Sequence, residues 1–250
     1  MTRFISIILL LLISTSVINA SPQSDYDFQL TQYRKHNAEF QVLKEDNQKN
    51  PTLDNQQKAL QAAKQTIISR DTTKIAYTEL VLSSIRFQKL SQDHVLATEK
   101  ELIAARQFYA SQIDLAKNIV SIEDLTNFTL KYLEDQLPHQ NQIIKAQATR
   151  KLAILIRTQI NIKSAYDSLL PTISDKTLNP VTAGISKVGQ LADQINQEIQ
   201  LDTVSIIESE VTNSNKTNFF SKQNERFTQI TNLQTEIVNI LIDLEKNYVN

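Results

Sequence analysis

Histidine is the residue type most often used to bind metals or to move protons near neutral pH, and the chain has three: His36, His94 and His139. A metal site on helices needs pairs such as His-x-x-x-His or Glu-x-x-His that share one helix face. None of the three histidines has such a neighbour. Asp135 lies four residues before His139, but Pro138 stands between them and predicts a surface turn. We therefore expect no metal ion and no cofactor.

Two pairs of adjacent acids, Glu123-Asp124 and Glu134-Asp135, are the other candidates for acid–base chemistry. Paired carboxylates can act as acid and base when their surroundings separate their pKa values. Neighbouring residues do not face each other on a helix. The first pair suits a helix N-terminus, where the helix dipole favours negative charge, and the second suits a solvated face. We predict no catalytic residue.

Residue types needed by several classes of enzyme are scarce. The chain has no cysteine, which excludes disulfides, thiolate metal sites and cysteine nucleophiles. It has two glycines, Gly184 and Gly189, too few for a Gly-x-Ser-x-Gly elbow or a phosphate-binding loop. Their spacing does not fit the GxxxG motif, so each is expected only to permit close helix packing. We therefore predict a protein that is not an enzyme.

The charge pattern argues against nucleic acid as a partner. There are 26 basic and 27 acidic residues, which give a formal net charge of −1. No cluster of Lys and Arg supplies the several phosphate contacts that nucleic-acid binding requires. The polar faces are rich in Gln and Asn and nearly neutral, and Trp is absent. Because interfacial helices usually carry basic residues and aromatics, a membrane surface is the less favoured partner.

The N-terminal segment Met1–Ala20 resembles a secretory signal. Arg3 provides the positive start, Phe4–Ile13 is apolar, and Ala20 is a suitable residue for cleavage. Cleavage after Ser16 is an alternative, as is retention of the segment as an anchor. The apolar run is shorter than the roughly 20 residues of a spanning helix, which favours a cleaved signal. We expect the protein to be secreted or to lie in the periplasm or cell envelope.

Helical periodicity is clearest between Phe219 and Tyr248, where apolar residues recur every three or four positions and mark one face of an α-helix. The scarcity of glycine disfavours sheets with tight hairpin turns. Similar stripes run through the rest of the chain after the signal, and the aromatic Tyr109 and Tyr132 belong to them. The pattern predicts an all-α protein.

Local signals place the first helix boundaries. Ser24 is a candidate N-cap for a helix that ends near Asn50, before Pro51. Thr52 caps a second helix from Leu53 to about Leu90, and we expect this helix to continue through the polar run 69–74. Thr98 and Glu101 have the spacing of a capping box, which predicts that a third helix runs from Thr98 to about Val120.

Ser121 is the candidate cap of a fourth helix, which we expect to end before Pro138. The most apolar segment, 139–170, follows as a separate buried helix that stops at Pro171. Pro180 suits the first turn of the next helix. Residues 213–218 form the last turn, and Phe219 begins the final helix.

These boundaries predict an elongated antiparallel helical bundle or coiled-coil hairpins of six or seven helices, because short loops favour antiparallel neighbours. The predicted organisation is a signal peptide at 1–20, a helical bundle region at 21–171, a linker at 172–179 and a helical hairpin at 180–250 that packs on the rest.

Two hypotheses about function follow from a helical chain without recognisable chemistry. The first is an exported, non-catalytic structural or protein-interaction module that binds a protein partner, or itself, through helix faces. The alternative is an amphipathic-helix protein that binds lipid or a membrane surface. The nearly neutral polar faces favour the first.

Overall fold

The computed structural model describes residues 21–90, 92–174, 178–212 and 214–249. Within these ranges the chain forms six α-helices and no strand, so the predicted all-α class is confirmed. The predicted signal Met1–Ala20 and residues 175–177 of the predicted linker lie outside the described residues. The helices are α1 (Pro22–Lys49), α2 (Leu53–Phe87), α3 (Asp93–Lys117), α4 (Ile122–Ile173), α5 (Asn179–Glu208) and α6 (Lys216–Tyr248).

Several predicted boundaries are confirmed. The Thr52 hydroxyl accepts the Asn55 N–H at 3.2 Å and caps α2, which runs unbroken through the polar run 69–74. The Ser121 hydroxyl accepts the Asp124 N–H at 3.0 Å, and the Asp124 carboxylate accepts the Ser121 N–H at 2.9 Å. This reciprocal pair is a capping box, and it fixes the start of α4. Pro180 lies in the first turn of α5 as predicted.

Two predicted caps are wrong because the helix starts earlier in each case. Ser21 caps α1, and the N–H of Ser24 donates to the Ser21 hydroxyl at 3.2 Å. The third helix begins at Asp93, and Thr98 lies inside it. The Thr98 hydroxyl donates to the His94 carbonyl at 2.9 Å. A threonine that bonds the carbonyl four residues back is satisfied within a helix, so its spacing to a Glu does not mark a start here.

The predicted break before Pro138 is also wrong. The predicted helices 121–137 and 139–170 form the single helix α4, which passes through Pro138 and Pro171 and ends at Ile173. A proline inside a helix removes one hydrogen bond and costs about 3 kcal/mol. Pro138 and Glu134 are both exposed, so water can satisfy the carbonyl that loses its partner. The buried side chains of Tyr132 and Ile143 pack on both sides of the proline and offset the cost.

Sequential helices pack as antiparallel neighbours in the N-terminal part. The hydroxyls of Thr66 and Thr73 donate to the carbonyls of His36 and Gln29, each at 3.0 Å, so α1 runs opposite to α2. Between α2 and α3, Arg86 pairs with Glu99 at 3.0 Å and Arg106 pairs with Glu79 at 2.6 Å, again in opposite order. In the C-terminal part, α5 and α6 form a further antiparallel hairpin, with Lys187 paired to Glu236 at 3.3 Å.

The 52-residue helix α4 joins these two parts. Helices α2 and α3 pack against its first half, where Tyr132, Ile143 and Ala146 meet Leu82 and Leu102. The α5–α6 hairpin packs against its second half. With about 100° of rotation per residue, the two sets of buried α4 residues lie on roughly opposite sides of the helix. Over about 78 Å at 1.5 Å per residue, one helix therefore supports two separate cores.

Candidate functional site

A buried ion pair lies where α2 meets α4. The Asp71 side chain is fully buried, and its two oxygens accept hydrogen bonds from Arg70 Nε at 2.9 Å and Nη2 at 3.1 Å. The Tyr132 hydroxyl donates to Asp71 Oδ1 at 2.7 Å. The Arg70 guanidinium also lies 3.8 Å from the centre of the Tyr132 ring. Both carboxylate oxygens are therefore partnered, which is the condition for a buried charge to be tolerated.

Lys74 extends this arrangement by one helical turn. Its ammonium donates to the Tyr132 hydroxyl at 2.9 Å and to Gln136 Oε1 at 3.2 Å. Burial and, to a smaller extent, the positive charge of Arg70 lower the pKa of Lys74 to about 8, although the negative charge of Asp71 opposes both. An ammonium has three N–H donors, so one remains beyond these two bonds. Arg70, Asp71, Lys74, Tyr132 and Gln136 together are called the polar network.

Tyr109 on α3 lies beside the polar network without joining it. The residue is fully buried, and its hydroxyl has no hydrogen-bond partner in the described part of the chain. Lys74 Nζ lies 4.7 Å from the centre of the Tyr109 ring, within range of a cation–π interaction. Burial raises the pKa of the Tyr109 hydroxyl, and nearby Asp71 raises it further. This phenol is therefore a neutral donor at physiological pH.

A pocket of about 240 Å³ opens where α1, α2, α3 and α4 converge. Its surface is almost entirely apolar, and Lys74 and Tyr109 contribute little polar surface to it. The rings of Tyr26 and Tyr77 contribute to the wall, with their centres 5.1 Å apart. We call it the junction pocket. The residues that line it are Tyr26, Thr73, Lys74, Tyr77, Tyr109, Gln140, Ile143 and Ile144.

A second buried carboxylate, Asp202, lies between α5 and α6 and is less well partnered. Its side chain is fully buried, and the contact from Arg226 Nη1 to Asp202 Oδ1 is long, at 3.4 Å. Asp202 Oδ2 has no hydrogen-bond partner among the described residues. Burial raises the pKa of Asp202 to about 6, because Arg226 compensates the lost hydration only in part.

An exposed row of leucines runs along the first half of α4. Leu130, Leu133 and Leu137 are 64%, 54% and 49% exposed. Their three- and four-residue spacing puts them on one helix face, and we call them the α4 stripe. The same face continues beneath the α5–α6 hairpin as buried or half-buried residues, which are Ile144, Ala148, Leu152, Leu155, Ile162, Leu169 and Ile173.

The end of the hairpin explains why the stripe is exposed. Lys145 Nζ donates to the carbonyl of Ile207 at 2.9 Å, and α5 ends at the next residue, Glu208. The loop and the start of α6 cover Ile144 with Val211 and Phe219. Beyond this point no helix of the described chain lies over the leucines. The apolar face of α4 is therefore longer than the hairpin that covers it.

The three histidines do not come together. His36 lies on α1 and His94 at the start of α3, where burial lowers the pKa of its imidazole. His139 lies on the same unbroken helix as Asp135, but its ring stacks on Phe108 with centres 4.4 Å apart, whereas Asp135 is exposed. Among the described residues, no group of three or more His, Asp or Glu side chains is arranged to hold a metal ion.

The acid pairs and glycines occupy local structural positions. Asp124 belongs to the capping box of α4, where hydrogen bonds from the Val120 backbone and the Ser121 side chain lower the pKa of its carboxyl. Glu134 and Asp135 are exposed. A Cβ at Gly184 would lie 3.1 Å from Leu244, whereas one at Gly189 would meet nothing within 4 Å. Close helix packing therefore applies to Gly184 alone.

Sequence reasoning missed the charged members of the polar network. Asp71 and Lys74 lie in the polar run 69–74, which has the composition of a solvated helix face. The signal that could have revealed them is the position of this run. It contains no Gly or Pro and lies between two apolar stripes of one helix, so the helix carries it through a packed region. Tyr109 and Tyr132 were predicted to face inward, and the structure confirms that both are buried.

No helix in the described ranges has the length and apolar character to cross a bilayer. When compared with models of known protein families, with curated proteins and with solved structures, the chain matches none.

Proposed function

We propose that the protein is an exported, non-catalytic structural or interaction module that associates through helix faces. The α4 stripe is its docking face, and a second copy of the chain is the occupant. The observation that carries this proposal is the continuity of one apolar face of α4, which is covered by α5–α6 from Ile144 onward and exposed at Leu130, Leu133 and Leu137.

An antiparallel pair of α4 helices fits the residues beside the stripe. In a register that places Leu130 of one copy opposite Leu133 of the other, Leu137 packs against Thr126. Glu134 then faces Thr129. No like charges oppose each other in this register, and apolar knobs at three- and four-residue spacing are what packed helices require. The resulting contact is isologous, the commonest arrangement in homodimers.

The remaining parts of the proposal rest on the sequence and on the polar network. Export is supported by the signal-like segment Met1–Ala20. A non-catalytic role is supported by the hydrogen bonds of the polar network, in which both oxygens of Asp71 are held by Arg70 and Tyr132. A carboxylate held in this way has a structural use that needs no substrate.

Sedimentation velocity over a concentration series tests the docking face. The wild type is expected to form a dimer as concentration rises, and the triple variant Leu130→Gln, Leu133→Gln, Leu137→Gln is expected to stay monomeric. A matched control replaces three exposed apolar residues of α5 with Gln and is expected to dimerise like the wild type. A wild type that is monomeric at every concentration, or a dimer that survives the α4 triple variant, contradicts the proposal. The control positions, 55%, 49% and 56% exposed, are Leu201, Val204 and Ile207.

The same α5 residues favour lipid binding as the second candidate function, because they form an exposed apolar strip on an amphipathic helix. Co-sedimentation with anionic and neutral vesicles tests it. Lipid binding that is lost in the α5 triple variant and kept in the α4 triple variant would establish this function. No sedimentation with either vesicle removes it.

A further inference from the structure

We propose that α1 is an exchangeable helix. When two copies of the chain fold together, α1 of each copy packs on α2 of the other. The surface involved is the face of α2 that α1 covers, and its partner is a second copy of the chain. This exchange uses a different face from the α4 stripe and is independent of the association proposed above.

The contact that holds α1 can be transferred whole to a second copy. In the described chain, α2 is the helix along which α1 packs over its length. The Thr66 hydroxyl of α2 donates to the carbonyl of His36 at 3.0 Å. Nearer the start of α1, the centre of the Tyr26 ring lies 5.1 Å from that of Tyr77. These groups all belong to α1 and α2, so α1 of a second copy can make the same contacts.

The cores of the bundle do not include α1. No side chain of α1 is fully buried. None of the apolar clusters in the described ranges contains one of its residues. Because buried apolar side chains supply most of the driving force for folding, α1 can leave its place while the other five helices stay packed.

A detached α1 still needs a partner. Its half-buried residues recur every three or four positions and form one face of the helix. Several of them are large and aromatic or apolar, so their exposure to water is unfavourable. The same face of α2 on a second copy covers them as well as the original one does. The half-buried residues of this face are Tyr26, Gln29, Tyr33, His36, Phe40 and Leu43.

The connection between α1 and α2 is a short hinge. Helix α1 ends at Lys49 and α2 begins at Leu53. The Asn50 carbonyl accepts the Thr52 N–H at 2.9 Å and Asn55 Nδ2 at 2.8 Å, and these two bonds close the turn. Short hinge loops favour domain swapping, and swapping is a low-cost route to dimers because the exchanged element keeps its contacts. Opening this turn is the local change that the exchange requires.

Refolding at two concentrations tests the exchange. It uses the triple variant Leu130→Gln, Leu133→Gln, Leu137→Gln, so the result does not depend on the α4 stripe. Refolding from urea at high protein concentration is expected to give a dimer that persists on dilution, because α1 must detach before the copies separate. Refolding at low concentration, or keeping the variant folded throughout, is expected to give a monomer. Recovery of the monomer alone at both refolding concentrations overturns the proposal.

Two changes to the hinge sharpen this test in the same triple variant. Asn50→Ala, Pro51→Ala, Thr52→Ala replaces the turn with strong helix formers, so α1 and α2 continue as one helix and α1 reaches only another copy. This variant is expected to be a dimer even after dilute refolding. The matched control inserts about five Gly and Ser residues between Asn50 and Pro51, and this flexible linker lets α1 close on its own α2. The control is expected to be monomeric after concentrated refolding. A monomeric helical-hinge variant, or a lengthened hinge that dimerises as readily as the original, overturns the proposal.

Cross-linking identifies the helix that is exchanged. Glu39 on α1 and Gln61 on α2 are exposed and line the same groove. The chain has no cysteine, so Glu39→Cys in one copy and Gln61→Cys in another each introduce a single thiol. After the two are refolded together at high concentration, a short bismaleimide is expected to join them. Copies with Lys163→Cys in place of Gln61→Cys are the control and are expected not to be joined to Glu39→Cys. A dimer that is cross-linked no more at Gln61→Cys than at Lys163→Cys overturns the proposal.

Discussion

The two halves of α4 carry apolar residues at the same spacing and differ in what surrounds them. The first half packs one face against α2 and α3, where Leu82 and Leu102 lie in an apolar cluster beside the polar network, and its α4 stripe is exposed. The second half packs an apolar face against α5 and α6, where Leu152 is fully buried. One helix thus packs in two cores, the first of which includes the polar network, and keeps one face uncovered.

This difference agrees with the proposal that stability and association depend on different lengths of the same helix. Burial of an apolar side chain stabilises by about 1.5–3 kcal/mol relative to exposure. Leu152 already makes this contribution within the monomer, because it is buried. Leu133 is exposed and can make it only when a partner covers it.

The largest effect is expected when the polar network of the first half is broken. Asp71→Ala leaves Arg70 without its carboxylate in a buried site, and removing one member of a buried ion pair costs about 3–5 kcal/mol. Urea unfolding followed by circular dichroism measures this loss. The control is Asp167→Ala, which removes an exposed pair with Lys163 and is expected to cost under about 1 kcal/mol. Equal losses in the two variants would contradict the structural role of the network.

The next prediction compares two leucines on the same face of α4. Leu152→Ala empties a fully buried position and is expected to cost about 2–5 kcal/mol. Leu133→Ala changes a side chain that is 54% exposed and is expected to stay within about 0.5 kcal/mol when the protein is dilute enough to be monomeric. Both values come from urea unfolding at one low protein concentration. A large loss at Leu133 in the monomer would mean that the stripe is covered within the chain.

Asp202 provides the pH-dependent contrast with Asp71. Because the pKa of folded Asp202 is raised to about 6 from an ordinary value of 3.8, the folded state binds the proton more tightly than the unfolded chain. Its contribution to stability is therefore favourable below about pH 4 and is lost as the pH rises through 6. Asn carries no titrating carboxyl, so Asp202→Asn removes this loss. We expect the change in unfolding free energy caused by the variant to be more favourable at pH 7 than at pH 4, by about 1–3 kcal/mol.

Urea unfolding at several pH values checks this prediction. The variant and the wild type should differ most above pH 6, and the difference should shrink toward pH 4. If the difference in unfolding free energy between the variant and the wild type stays constant from pH 4 to pH 7, the raised pKa is contradicted.

The smallest expected effect concerns the start of α4. Ser121→Ala removes the hydroxyl that accepts the Asp124 N–H, and loss of an N-cap typically costs about 1 kcal/mol. Ser24→Ala is the control, because Ser24 was predicted as a cap from the sequence and Ser21 fills that role in the structure. Thermal unfolding followed by circular dichroism should therefore show a lower midpoint for Ser121→Ala than for Ser24→Ala.

The helices could be predicted from the sequence because apolar periodicity and local caps are properties of nearby residues. Thr52 and Ser121 were identified in this way, whereas Pro138 and Thr98 were misjudged. At Pro138 packing across the bundle outweighs the local preference, and at Thr98 the hydroxyl bonds a carbonyl one turn back within the helix. The polar network and the junction pocket could not be predicted, since the network joins residues of two helices and the pocket joins residues of four. The exposure of the α4 stripe could not be predicted for a related reason. Periodicity shows that a helix face is apolar, and only the fold shows that α5 and α6 end before they cover it.

The most direct test of the account is the accessibility of the α4 stripe as the protein associates. The chain contains no cysteine, so Leu133→Cys and, as a control on α5, Leu201→Cys each introduce a single thiol. We predict that the rate at which the thiol at position 133 reacts with an aqueous disulfide reagent falls as protein concentration rises, while the rate at position 201 stays constant. Rates that are independent of concentration at both positions would contradict the claim that this face of α4 docks a second copy.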